Sequence, residues 1–264
     1  MQERHIKKIQ LLPNFLTALG LTCGLYVIFK LCVTPQAELT EPFLTAATGL
    51  LLLAGIFDLL DGAVARALGV ASDFGNTFDS LADAISFGVA PAVIVLKSAA
   101  VSTADPGSFL ITTAALTYSV CGVLRLVRFS AQPQEPPHTR PAKKLFTGLP
   151  IPASAGALVS LNLFLLSSDM NAYLIISPFA KVVLLSIAMT LLGYFMVSQL
   201  KFPSSRQLYF KVSNFRMVFL IVVAAMTFFY GVLHHFAAVF LAVCWGYILV
   251  SLLLSVKRRT FDIQ

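Results

Sequence analysis

Apolar runs of about twenty residues, separated by short polar stretches, recur along the whole chain. They predict helices over 13–33, 43–66, 76–98, 107–129, 150–168, 174–198, 215–233 and 236–256. At about 1.5 Å rise per residue each is long enough to cross a hydrocarbon core roughly 30 Å thick. The pattern therefore predicts an all-α, polytopic membrane protein of about eight transmembrane helices. No internal repeat or low-complexity tract interrupts it, and residues 1–264 read as one integral-membrane domain, with core helices over about 13–198 and an extra C-terminal pair over about 215–256.

Composition agrees. Hydrophobic residues make up 58% of the 264 positions and charged residues only 12%, with a mean hydropathy of +0.84, which excludes an ordinary soluble domain. The net charge of +7 would suit nucleic acid if it formed a surface patch, but the basic residues sit beside the apolar runs, so no nucleic-acid partner is expected. With eight spans both termini share a side. All nineteen Lys and Arg residues except Lys30, Lys97 and Lys181 then lie on that side, which the positive-inside rule makes cytoplasmic. The basic start from Met1 to Gln10 leads into an apolar run without a small-residue cleavage pattern, and reads as a retained first span. Cys23, Cys32, Cys121 and Cys244 lack metal-ligand spacing and read as small apolar-run residues.

One stretch breaks the pattern. Residues 58–83 carry Asp58, Asp61, Asp79 and Asp83 between uncharged runs from Phe43 to Phe57 and from Ala84 to Leu96. On a helix Asp58, Asp61, Gly62, Ala65 and Arg66 share one face, and Asp79 and Asp83 lie a turn apart on the next helix. The flanks place these acids inside the bilayer near one interface. Acids at membrane depth are costly and mark a functional site, and four of them together repel unless cations lie between them. Metal binding follows as the expectation.

The stretch resembles the signature of the CDP-alcohol phosphotransferases, D-x2-D-G-x2-A-R, a spacer, then G-x3-D-x3-D. All eight fixed residues are present as Asp58, Asp61, Gly62, Ala65, Arg66, Gly75, Asp79 and Asp83. Further segments resemble the members that join CDP-diacylglycerol to L-serine: Phe78 to Pro91, Cys121 to Phe129, Gly148-Leu-Pro150-Ile-Pro152-Ala153 and Lys201-Phe-Pro-Ser. Ser130 departs from them, since many carry Asn there.

The resemblance implies a phosphatidyl transfer that releases CMP. It implies two divalent ions, Mg²⁺ or Mn²⁺, held by Asp58, Asp61 and Asp79, with Asp83 completing the shell or standing beside it. Asp61, Gly62, Ala65, Arg66 and Gly75 would bind the CDP-lipid, the small residues by leaving room and Arg66 by pairing with phosphate. Asp83 is the candidate general base for the serine hydroxyl. Arg125 and Arg128, three residues apart, are candidates for a phosphate or carboxylate. Asn14, after Pro13, reads equally as a helix cap or as a residue near the site. The implied setting is the bacterial inner (cytoplasmic) membrane, with lipid as neighbour and a homodimer as assembly.

Two other readings stay open at this stage. A sibling transferase would use glycerol 3-phosphate, inositol phosphate or choline. A cation transporter would spread its acids along a path through several spans, whereas these four lie in one strip.

Overall fold

A computed structural model describes residues 2–70, 72–99, 105–130, 146–167, 176–198, 201–202 and 235–261. The expected span 215–233 and the basic, proline-rich loop after Ser130 lie outside them. Seven long helices are present among the described residues: α1 (Gln2–Val33), α2 (Glu41–Leu68), α3 (Asp73–Ser98), α4 (Pro106–Ser130), α5 (Ile151–Leu166), α6 (Pro178–Val197) and α7 (Phe236–Phe261). All but α5 contain an apolar stretch long enough to cross a membrane. The protein is a polytopic α-helical membrane protein.

Helix α1 runs straight through Pro13, so Asn14 is an interior residue and not the cap that the Pro-Asn pair suggested. Membrane helices tolerate such a proline because neighbouring groups satisfy the freed backbone. Helix α2 stops at Gly69, whose φ of 64° is the left-handed conformation that glycine adopts without strain. The chain restarts at Ser72, whose Oγ accepts the Gly75 N–H at 3.1 Å and starts α3 three residues before the hydropathy pattern placed it. The short turn folds the C-terminal half of α2 beside the N-terminal half of α3, and with them the acids they carry.

Within α3 the ladder changes over Ala84–Val89 to a π-helical turn, in which the Ala90 N–H reaches back to the Ile85 carbonyl. A π turn adds a residue to one turn of helix, and Pro91 follows it.

Helix α5 is shorter than the span expected over 150–168 and is buried on nearly all sides, as an all-round apolar helix must be. Its entry is irregular. Gly148 has φ 85°, and a Cβ there would collide with the Met196 carbonyl. Leu149 is fully buried and donates its N–H to the Phe195 carbonyl at 3.0 Å. Non-helical backbone in a bundle survives only under such cover. Beside it Phe146–Thr147 pairs antiparallel with Lys201–Phe202.

Helix α1 packs along α2, α4 along α6, and α7 against α5. The main core gathers Tyr118, Ile151, Leu158, Met189 and Leu192, and a second joins Val27, Leu31, Leu44 and Leu51 to Ile94 and Leu163. Without a strong hydrophobic drive between helices in lipid, close approach at small residues holds such bundles. At Gly24 on α1 a Cβ would run into Ser86 of the π turn.

Candidate active site

A cleft opens between α1, α2 and α3, lined by Thr17, Gly20, Asp58, Asp61, Asp79 and Asp83 among others. Its acids lie about 10–15 Å along their helices from the α2–α3 turn, at 1.5 Å per residue. Helical spacing explains the convergence: Asp58 and Asp61 stand a turn apart on α2, and Asp79 and Asp83 a turn apart on α3.

Asp58, Asp61 and Asp79 each offer a carboxylate oxygen, and these oxygens lie within 4.8 Å of one another. Asp83 stands beside this trio, its carboxyl group within reach of that of Asp58. Asp61 is only 4% exposed. The Thr17 hydroxyl, from α1, lies 2.5 Å from Asp61 Oδ2 and 3.1 Å from the Pro13 carbonyl, so one proton has two acceptors and the threonine fixes the carboxylate. Three oxygen donors without histidine or cysteine suit a hard divalent ion.

Arg66 folds back along α2, its Nη1 3.3 Å from where a Gly62 Cβ would stand, and it interacts electrostatically with Asp61. Gly62 therefore makes room for a guanidinium. Gly75 does similar work across helices, since a Cβ there would lie 3.1 Å from both Asn14 Oδ1 and Ser72 Oγ.

The family model for CDP-alcohol phosphatidyltransferases matches residues 10–192. The chain belongs to that family. The match runs from α1 to near the end of α6 and leaves α7 outside it. The CDP-diacylglycerol--serine O-phosphatidyltransferase of Mycobacterium leprae is 40% identical over 161 residues, 61% of this chain and 49% of that protein; the chain thus spans about half the length of its mycobacterial relatives. That of Bacillus subtilis is 34% identical over 192 residues, 73% of this chain and 89% of the relative. The archaetidylserine synthase of Methanothermobacter thermautotrophicus is 35% identical over 189 residues, 71% and 72% of the two chains.

In this phosphatidyltransferase fold the four acids of the motif line one cleft, and Ala65 is half-buried a turn beyond Asp61. Asn14 reaches the same region from α1. The two arginines, three residues apart in the sequence, diverge. Arg125 turns inward, where it interacts electrostatically with Asp83 and with Tyr247 of α7, and its Nε is buried without a hydrogen-bond partner among the described residues. Arg128 is exposed and donates to the Val197 carbonyl at 3.3 Å, a common use of a basic side chain at a helix C-terminus. Residues i and i+3 on a helix differ by about 60°, enough to send one into a bundle and the other around it.

Thr17 belongs to the cleft, as do Gly20, Ser86 and Phe87. The small pair Gly20 and Gly24, four residues apart, was the available signal for a close helix contact.

Proposed function

We propose that the protein transfers the phosphatidyl group of CDP-diacylglycerol to the hydroxyl of L-serine, releasing CMP. The observation that carries the reading is the intramembrane trio Asp58, Asp61 and Asp79 with Asp83 at its edge, in a family defined by this chemistry. The serine acceptor rests on the names of the relatives and on the resemblance of the segments around Phe78, Arg125 and Gly148.

Asp58, Asp61 and Asp79 would hold two divalent ions, Mg²⁺ or Mn²⁺, with Asp83 available as a further ligand. Bound there, such ions neutralise the pyrophosphate and the charge that develops on departing CMP. Arg66 pairs with phosphate at the rim, and Gly62, Ala65 and Gly75 leave space for the nucleotide. The serine hydroxyl oxygen forms the new bond to the lipid-bearing phosphorus. The bond from that phosphorus to the CMP oxygen breaks, and its electron pair leaves with CMP. Asp83 takes the hydroxyl proton. Arg125, with an unused buried donor beside Asp83, receives the serine carboxylate. Direct transfer without a covalent phosphatidyl-enzyme is the expectation, because no Ser, Cys or His stands in the motif with an activating partner.

The distribution of basic residues supports a cytoplasmic active site in a bacterial inner membrane. One catalytic domain and a homodimer complete the proposal, the latter by resemblance alone. The test is CMP release from CDP-diacylglycerol by purified protein with Mn²⁺ or Mg²⁺. Serine, glycerol 3-phosphate, inositol phosphate and choline are supplied separately. Release that requires serine and metal supports the reading, and release with another acceptor replaces the substrate.

A further inference from the structure

Asp79, Ala82, Asp83, Ser86 and Phe87 line the cleft, and beyond the π turn the buried positions are Ala90, Pro91, Ala92, Ile94 and Val95, packed against α1 as well as α4 and α5. The wider turn over Ala84–Val89 offsets the rotation of the second half of the helix relative to the first by about one residue, and Asp83 is the last residue before it.

A π turn is a poor hydrogen-bonding arrangement and needs outside support. Pro91 has no N–H for the carbonyl four residues back, that of Phe87. Tyr118 of α4 donates its hydroxyl to this carbonyl at 3.1 Å, and the tyrosine is fully buried. Its neighbour Ser119 donates to the Gly88 carbonyl at 2.8 Å. Gly122, a turn beyond Tyr118, faces the same stretch, and a Cβ there would stand in ordinary contact with Gly88 Cα at 3.6 Å. Ser86 Oγ reaches the Gly20 carbonyl of α1 at 3.4 Å. Two adjacent hydroxyls on one helix thus hold two adjacent carbonyls of the turn on another.

We propose that Tyr118 and Ser119 are positioning residues for Asp83: by holding the π turn they fix the rotation of the helix end that carries it, and so its place beside Asp58. This rests on the reading that Asp83 takes the acceptor's proton. Without the two donors the Phe87 and Gly88 carbonyls lose these partners, and the turn relaxes at a cost to the rotation of Asp83. Neither residue touches substrate.

The experiment uses the full chain with Tyr118→Phe, Ser119→Ala and Asp83→Asn, the first two also in the Asp83→Asn background. Turnover is measured with whichever acceptor supports CMP release in the unmodified protein, so a wrong acceptor is recognised separately. Amide hydrogen exchange of residues 84–92 is followed alongside. Each single removal of a donor should raise exchange in that segment and lower kcat between about 10- and 100-fold, with the half-saturating Mn²⁺ and CDP-diacylglycerol concentrations within about twofold of the unmodified protein. In the Asp83→Asn background the same removals should change residual turnover by less than about twofold, because they act through Asp83. Unchanged exchange overturns the clamp. Raised exchange with unchanged kcat, or an equal loss in both backgrounds, overturns the positioning role. Ser119→Ala leaves the buried ring of Tyr118 in place and keeps the comparison available if Tyr118→Phe fails to fold.

Discussion

Thr17 on α1 holds Asp61 on α2, its hydroxyl 2.5 Å from Oδ2 across forty-four residues of sequence. A carboxylate held from outside its own helix has one oxygen oriented before any ligand arrives, which reduces the ordering that binding must impose. Thr17→Val keeps the shape and removes the donor. It should raise the Mn²⁺ concentration for half-maximal activity about 10- to 100-fold, the usual effect of losing a group that orients a metal ligand, while saturating metal restores most of the turnover. Metal titrations of CMP release check this.

Asp83 differs from the other three acids in standing outside the tight trio. Asp83→Asn should keep CDP-diacylglycerol binding and lose turnover by about 10²- to 10⁴-fold, the range expected for a positioned proton acceptor. Equilibrium binding of the CDP-lipid and single-turnover kinetics separate the two effects. Full activity in this variant would remove Asp83 from the mechanism.

Chelation tests the trio itself. Treatment with EDTA should abolish turnover, and Mg²⁺ or Mn²⁺ should restore it. Asp58→Asn, Asp61→Asn and Asp79→Asn should each resist restoration at concentrations that saturate the unmodified protein, since each takes one anionic oxygen donor from a set of three. Asp83→Asn, by contrast, should still bind metal. A thermal-shift titration reads binding without depending on turnover.

The acids were legible in the sequence because their spacing is helical and their charge is anomalous in an apolar run; two local facts sufficed to bring Asp58, Asp61, Asp79 and Asp83 together. Among the described residues helix positions were legible for the same reason, to within a few residues. What escaped was set by tertiary contact. Hydropathy cannot distinguish a π turn from an α turn, because both are apolar and differ by one residue. Pro13 reads locally as a helix start, yet α1 continues through it. Arg125 and Arg128 look equivalent by spacing, and only the neighbouring helices tell them apart: Asp83 and Tyr247 for one, the end of α6 for the other.

Gly24 carries the bundle contact that holds α1 against the π turn. A Cβ there would come 2.8 Å from Ser86 Cα, and backbone cannot swing aside as a flexible side-chain end could. Gly24→Val should therefore destabilise the fold by about 1–3 kcal/mol through overpacking. Lower yield and a lower detergent-solubilised melting temperature would show it. Gly49, with nothing within 4 Å of its added Cβ, is the matched control, and Gly49→Val should change either measure far less.

Arg125 offers the last and most specific separation between acceptor and donor lipid. It lies within electrostatic reach of Asp83 and keeps a buried Nε without a partner among the described residues. A buried guanidinium with an unused donor is costly unless substrate completes it. If that substrate group is the serine carboxylate, Arg125→Lys retains the charge but loses the planar fork. The KM for serine should then rise at least about tenfold, as loss of a charged hydrogen bond worth roughly 1.5–3 kcal/mol requires, with the KM for CDP-diacylglycerol unchanged. Arg128→Lys should leave both constants near their starting values, because Arg128 is spent on the Val197 carbonyl at the helix end. A rise confined to the CDP-lipid KM would instead assign Arg125 to the diphosphate, and the carboxylate would then need another partner.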